Sequence, residues 1–298
     1  MLAIVIMNAA AGPDNNQSGN DDVKRVEAAM TKAGVEAIMR AVPPKELKQA
    51  AEQAVRERPN AIVAAGGDGT INTVAGALLG TDVPLGVLPL GTYNHFAKDA
   101  GLPLDLDSAA AVIAGRAVRN VDVGLVNDRI FLNNSSIGMY PSIVKRRDQI
   151  REQLGKSKFT AMCIATMAVL RRHPLLDIRL HTSDQSILRR TPFLFVGNNP
   201  YNMDLFKIGQ RSSLNEGKLS VYLTHRSGRF RLLWLAVRGL FGCLNQARDF
   251  ESVLLDECLI ETHRRQLSVA IDGEVTAMTP PLHYRIVPGG LKLIVVSR

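Results

Sequence analysis

The stretch NAIVAAGGDGTINTV, residues 60–74, is apolar through Ala65, breaks into Gly66-Gly67-Asp68-Gly69-Thr70, and resumes with helical spacing. A strand that ends in glycines before a helix sets several backbone N–H groups, unshielded by side chains, at the positive end of that helix. Such a loop suits phosphate. Thr70 adds a hydroxyl donor. Asp68 is the odd member, because an acid beside phosphate requires a cation, a water or a donor hydroxyl between the two. The same five residues also suit a tight turn that uses Gly and Asp for conformational reasons alone.

Two more small-residue loops follow apolar runs, Asn8-Ala9-Ala10-Ala11-Gly12 and Pro89-Leu90-Gly91-Thr92-Tyr93-Asn94. In a parallel sheet all three loops share the carboxyl edge, where open α/β folds bind ligands, and together they could wrap one nucleotide. Far along the chain, Ile271-Asp272-Gly273-Glu274 sets two acids around a glycine. Asp272-Gly273 is also a common hairpin pair.

The chain resembles the diacylglycerol kinase catalytic family of lipid kinases, which shares its GGDGT loop with NAD kinases and, more distantly, phosphofructokinases. The resemblance rests on Asn8–Gly12 as an NPxxG-like loop, GGDGTIN at Gly66–Asn72, PLGTYNHFA at Pro89–Ala97, and IDGE at Ile271–Glu274. It covers most of the chain, and GGDGT followed by PLGT is its most specific part. It implies ATP and Mg2+ as cofactors. The nucleotide would be held by Asn8, Ala9, Ala10, Ala11, Gly12, Gly66, Gly67, Asp68, Gly69, Thr70, Ile71, Asn72, Gly91, Thr92 and Asn94. A lipid hydroxyl would be the nucleophile, entering a cleft from a second domain, with Glu274 as general base and Asp68 and Asp272 beside it. A free glutamate, at pKa ~4.3, is a weak base for an alcohol, so burial or nearby phosphate is expected to raise it.

The resemblance also implies a structural magnesium site in the second domain, over Ser213 to Lys218. Glu216 would give the carboxylate, and the Ser213 and Lys218 carbonyls would be hard oxygen partners. An ordinary Asn-Glu-Gly turn is the other reading of that stretch. Three positions depart from the commoner pattern: Ala9 replaces a proline, Thr73 a glutamate and His95 an aspartate. His95 reads either as a substrate contact or as a structural donor at a helix start. Asp122, in VDVG, reads either as support for acceptor or metal or as a strand-end turn acid. Two other functions stay open, an NAD kinase-like nucleotide kinase and a nucleotide- or membrane-binding homologue with weak or no turnover.

The elements that must position these residues follow the α/β rhythm. Leu2 to Met7 reads as a strand buried on both faces. A helix over Asp21 to Ala33 carries Val23, Val26, Met30 and Ala33 on one side and ends at Gly34. A second opens at Pro43-Pro44 and stops at Pro59. Strand Ala61–Ala65, helix Ile71–Leu79, strand Pro84–Leu88, helix Ser108–Ala114 and strand Val121–Val126 complete the series. Beyond it LDIRLH, PFLFVGN, KLSVYL, QLSVAID and LKLIVV are short strand candidates, interrupted by helical stretches at roughly 142–172 and 229–244. The expected fold is a Rossmann-like three-layer α/β domain over residues 1–125 and a β-rich, sandwich-like domain over 126–285. Residues 286–298, with a strand at Leu291–Val296, would complete either one.

With 298 residues, two cores are affordable. The excess of 36 Lys and Arg over 28 Asp and Glu favours anionic partners, and the motifs choose nucleotide and lipid over nucleic acid. Cys163, Cys243 and Cys258 show no metal or disulfide spacing, which fits a reducing cytoplasm. The first residues lack the form of a signal peptide, and no run approaches ~20 apolar residues. The expectation is a cytoplasmic protein in transient contact with the inner membrane surface. LRRHPLL (170–176) and GRFRLLWLAVRGLFGCL (228–244), the latter with Trp234, mix basic and bulky apolar residues as interfacial segments do, though such spacing also suits a core. Nothing in the pattern indicates an oligomeric state.

Overall fold

The computed structural model describes residues 1–9, 18–154, 157–172, 175–182, 186–202, 210–211, 213–223 and 251–297. The segment 228–244 with Trp234, the loop residues Ala10, Ala11 and Gly12, and Cys243 lie outside the described residues. Two compact units form, one from Met1–Val123 with Pro288–Arg298, the other from Gly124–Val287.

In chain order the first unit runs β1 (Leu2–Asn8), α1 (Ser18–Lys32), β2 (Glu36–Val42), α2 (Leu47–Arg56), β3 (Ala61–Gly66), α3 (Asp68–Leu78), β4 (Leu85–Pro89), α4 (His95–Asp99), α5 (Leu106–Gly115) and β5 (Val118–Val126), whose last residues enter the second unit. β1 lies between β2 and β3, and β4 follows β3, all parallel. Because side chains alternate across a strand, Ala3, Val5, Met7, Ala61, Val63 and Ala65 share one face. They form a core there with Val26, Ala29 and Met30 of α1 and Ala109, Ala110 and Ile113 of α5. α2 and α3 pack on each other and on β1 and β3, completing three layers. Asp105 caps α5, its carboxylate accepting the Ser108 N–H at 2.8 Å, and that bond holds its pKa below the usual carboxylate range.

The second unit runs β6 (Arg129–Phe131), β7 (Asn134–Gly138), α6 (Met139–Leu154), α7 (Lys158–Arg172), β8 (Leu176–His181), β9 (Ser186–Thr191), β10 (Phe193–Asn198), β11 (Tyr201–Asn202), β12 (Gln210–Arg211), β13 (Leu219–Leu223), β14 (Glu251–Leu255), β15 (Glu257–Thr262), β16 (Leu267–Ile271), β17 (Glu274–Met278) and β18 (Leu282–Ile294). One antiparallel layer has the order β14-β13-β10-β7-β16-β17; in the other the early part of β18, β15, β8 and β9 pair in turn. Leu176, Ile178 and Leu180 of β8 face inward at every second residue. They pack with Cys258, Ile260, Leu282 and Tyr284 against Ile137, Leu194, Val196, Val221 and Val269 of the facing layer. This is the β-rich fold that the short strand candidates implied.

The structure departs from the sequence reading in several places. β2 has no counterpart in that reading, because Glu36 and Arg40 interrupt its apolar run and only part of it is buried. The helical stretch 142–172 is two helices, α6 and α7. The final strand begins at Leu282 rather than Leu291, pairing with β15 at its start and with β4, at Leu293 and Leu85, near its end. Gly289, between the two pairings, has φ 61°, a conformation that glycine adopts freely.

Gly124 is opposite Phe131 in the β5–β6 hairpin, and a Cβ built there would collide with the ring of Phe131, which is fully buried against Tyr284. Gly124→Ala is expected to cost about 1–3 kcal/mol, read as a lower thermal midpoint. An unchanged midpoint would show that the ring gives way freely.

Candidate functional site

Parallel register brings the three loops of the first unit to one sheet edge. Met7 is level with Ala65, and Gly66 with Pro89, so Asn8, Gly66 and Pro89 end their strands side by side. Ala9, at the end of the first loop that is described, donates its N–H to the Val42 carbonyl at 2.9 Å.

α3 begins at Asp68, three residues before the helix expected from the sequence, so Asp-Gly-Thr is its first turn rather than part of the loop. Gly67 is the N-cap in extended conformation, and no side chain caps the helix. The first N–H groups of a helix have no partner within it, and here Gly67 and Gly69 carry no side chain to cover them. This fits a polyphosphate. Thr70 is buried, and a Cβ on Gly66 would stand 2.6 Å from its Oγ1. A Cβ on Gly91 would stand 2.5 Å from the Gly67 Cα. The glycines therefore serve first to let the second and third loops touch backbone to backbone.

Asp68 joins those two loops. Its Oδ2 accepts the His95 N–H at 3.2 Å and its Oδ1 the Phe96 N–H at 3.1 Å, at the start of α4. Within the third loop Asn94, in the left-handed region at φ 50°, exchanges hydrogen bonds with Gly91. Its Oδ1 accepts the Gly91 N–H at 3.0 Å and its Nδ2 donates to the Gly91 carbonyl at 2.8 Å. The Tyr93 and His95 rings stack at 5.5 Å, both exposed, with Thr92 exposed beside them. Ile71 is buried and Asn72 half-buried, while Thr73 turns its hydroxyl onto the Gly69 carbonyl at 2.9 Å. Sequence reasoning missed that Asp68 and Asn94 brace the loops; an Asn before a short helix was the available signal.

Asp122 is buried, and its Oδ1 accepts the Gly289 N–H at 2.8 Å. This bond ties β5 to β18.

In the second unit Asp272, at φ 45°, gathers three backbone donors: Leu132 at 2.7 Å, and Asn133 and Asn134 at 2.9 Å each. Buried Arg211 holds the same segment from its other polar side, donating to the Leu132 carbonyl at 2.6 Å, the Asn198 carbonyl at 3.0 Å and the Asn133 Oδ1 at 2.9 Å. Arg211 was not singled out from the sequence. Glu274 opens β17 opposite Ile271 and is exposed.

The stretch from Ser213 to Lys218 has the hydrogen bonds of a turn. Ser213 Oγ donates to Asn215 Oδ1 at 2.6 Å, Glu216 N–H to Asn199 Oδ1 at 3.0 Å, and Asn199 N–H to the Lys218 carbonyl at 3.0 Å. Glu216 is exposed, Gly217 is left-handed, and the described residues contain no group of three or more His, Cys, Asp or Glu placed to hold a metal. Cys258 is no nucleophile either: burial pushes its thiol up to about 12, with the Glu257 charge adding to it.

Residues 2–126 match the family model described as diacylglycerol kinase catalytic domain. Among curated relatives, a Pseudomonas aeruginosa (strain UCBPP-PA14) protein named "Probable lipid kinase YegS-like" is 33% identical over 147 residues, 48% of each chain. A "Diacylglycerol kinase" of Bacillus subtilis (strain 168) is 26% identical over 237 residues, 78% of this chain and 76% of that one. The first relatives are matched over about half of their own length. A crystal structure of a diacylglycerol kinase from Bacillus anthracis str. Sterne superposes with a TM-score of 0.68 at 19% identity, covering 99% of this chain and 96% of that one. At that identity the likeness establishes the fold.

Asp68→Asn keeps one acceptor oxygen and replaces the other with a donor, so one of the His95 and Phe96 amides loses its partner. Hydrogen exchange at that amide is expected to quicken about five-fold, corresponding to about 1 kcal/mol. Equal protection in both proteins would refute the bracing role.

Proposed function

We propose, from the membership of residues 2–126 in the diacylglycerol kinase catalytic-domain family, that the protein is a lipid kinase. It transfers the γ-phosphoryl group of ATP to the hydroxyl of a lipid acceptor such as diacylglycerol. The observation that carries this reading is the α3 N-terminus, uncapped by any side chain and held against the third loop by Asp68.

In this reading the N–H groups of the first turn of α3 and the glycine backbone bind the phosphates, and Asn8, Thr92 and Asn94 position the nucleotide. Magnesium bound with ATP would be held through Asp68 and would neutralise charge on the β- and γ-phosphates. The acceptor oxygen forms its bond to the γ-phosphorus as the bond to the β–γ bridging oxygen breaks. ADP leaves with that electron pair, and Glu274 takes the hydroxyl proton. Glu274 has this role by its place in the IDGE motif, and Asp272 supports it by fixing the turn. His95 and Asp122 stand as weaker candidates for acceptor contact, His95 through its exposed ring. Such a substrate calls for peripheral membrane contact from the cytoplasmic side. No helix among the described residues is long and apolar enough to cross a membrane.

Incubation with labelled ATP, magnesium and a total lipid extract is expected to give a labelled chloroform-soluble product, whose mass identifies the acceptor. Glu274→Gln should lose about 10²–10⁴-fold in turnover while still binding ATP. Near-normal turnover would remove Glu274 from the mechanism. Saturable ATP binding without product would leave a nucleotide-holding protein, and a labelled aqueous dinucleotide, formed when NAD is added in place of the lipid, would point to NAD kinase chemistry.

A further inference from the structure

α6 and α7 form a helical hairpin with an unusual outer surface. α6 packs on β7, β16 and β17, whereas α7 packs chiefly on α6. The inward residues of α7 are Ala161, Ala165, Val169 and Leu170, set against Met139, Ile143 and Ile150 of α6. Its opposite face carries Cys163, Ile164 and Met167, all exposed, the last two by 43% and 46%. Thr160 and Arg171, also exposed, extend the same helical row. Of LRRHPLL, the interfacial candidate in the sequence, Leu170 is therefore core, and the apolar face lies a turn earlier.

The charge around this face is one-sided. The two helices hold seven Lys and Arg (145, 146, 147, 151, 158, 171 and 172) against Asp148 and Glu152, a net charge of +5. Arg147 bridges to Asp148, but no carboxylate pairs with Lys145, Arg146, Arg151 or Arg171 among the described residues. Bulky apolar side chains in the middle of a helix, with unneutralised cations at its end and on its partner, match the boundary of an anionic bilayer. A second copy of the chain is a poorer occupant, since a two-fold contact would bring +5 against +5.

We propose that the α6–α7 hairpin is the membrane-docking element of this protein. Ile164 and Met167 enter the acyl boundary, and Lys145, Arg146, Arg151 and Arg171 meet anionic headgroups. The inference rests on the lipid-kinase reading for its purpose, while its surface and charge stand on their own.

The test uses the full chain, without ATP, and flotation on vesicles of phosphatidylcholine with or without 30% phosphatidylglycerol, a fraction of about a third being a usual anionic load. Binding is expected only with the anionic lipid and should weaken with salt. Ile164→Ser with Met167→Ser should lower partitioning at least about ten-fold, and Arg146→Gln, at an exposed position, about five-fold, with thermal midpoints unchanged. Wild-type-like partitioning of both variants, or binding to neutral vesicles alone, would overturn the proposal. So would a dimer in sedimentation that the double substitution dissociates. Phosphorylation of a detergent-dispersed acceptor, measured in parallel, should be the same in all three proteins. If no acceptor is phosphorylated, the kinase reading fails while the vesicle result still decides the docking surface.

Discussion

The first unit depends on one carboxylate. Asp68 stands at the first position of α3 and reaches across to two backbone N–H groups of α4, so the glycine loop and the loop after β4 are one rigid piece. Without that bond, two glycine-rich segments that meet at Gly67 and Gly91 would keep only close packing and the Leu90 N–H bond to the Gly66 carbonyl at 3.0 Å, and glycine backbone is the most entropically costly to hold. A charge-assisted bond to backbone N–H is among the stronger contacts available. The two loops are thus held together by an acid of their own, the kind of preorganisation that the proposed phosphoryl transfer would use.

The second unit uses the same device. Asp272 collects the N–H groups of Leu132, Asn133 and Asn134 while Arg211 takes the carbonyl side of that segment, so the turn that leads into Glu274 is fastened to the start of β7. In both units, then, an acid that looks catalytic in the sequence is occupied with backbone. Glu274 of IDGE, by contrast, stands exposed at the start of its strand.

Much of this was legible beforehand, and the limits have physical causes. The loops at the carboxyl edge were readable because glycine after a buried apolar run has few other uses, and the β-rich half because LDIRLH alternates as a one-sided strand must. The partners of Asp68 and Asp272 were not, since His95 and Leu132 offer only backbone N–H groups, which every residue but proline carries. β7 escaped notice because Asn134, Ser135 and Ser136 are polar; Ser135 is tolerated inside by its 3.0 Å bond to Tyr284. The outward face of α7 could not be told from its core face by spacing, because both are apolar.

β18 gives its first residues to one unit and its last to the other, and Leu293 is the neighbour of Leu85. The family match ends at residue 126, yet the sheet it describes is not finished there. On the ribosome, the edge of β4 must wait until the second unit has been made before Leu293 arrives. The parallel sheet, though its other strands come first, is thus completed only after the strands of the antiparallel layers exist.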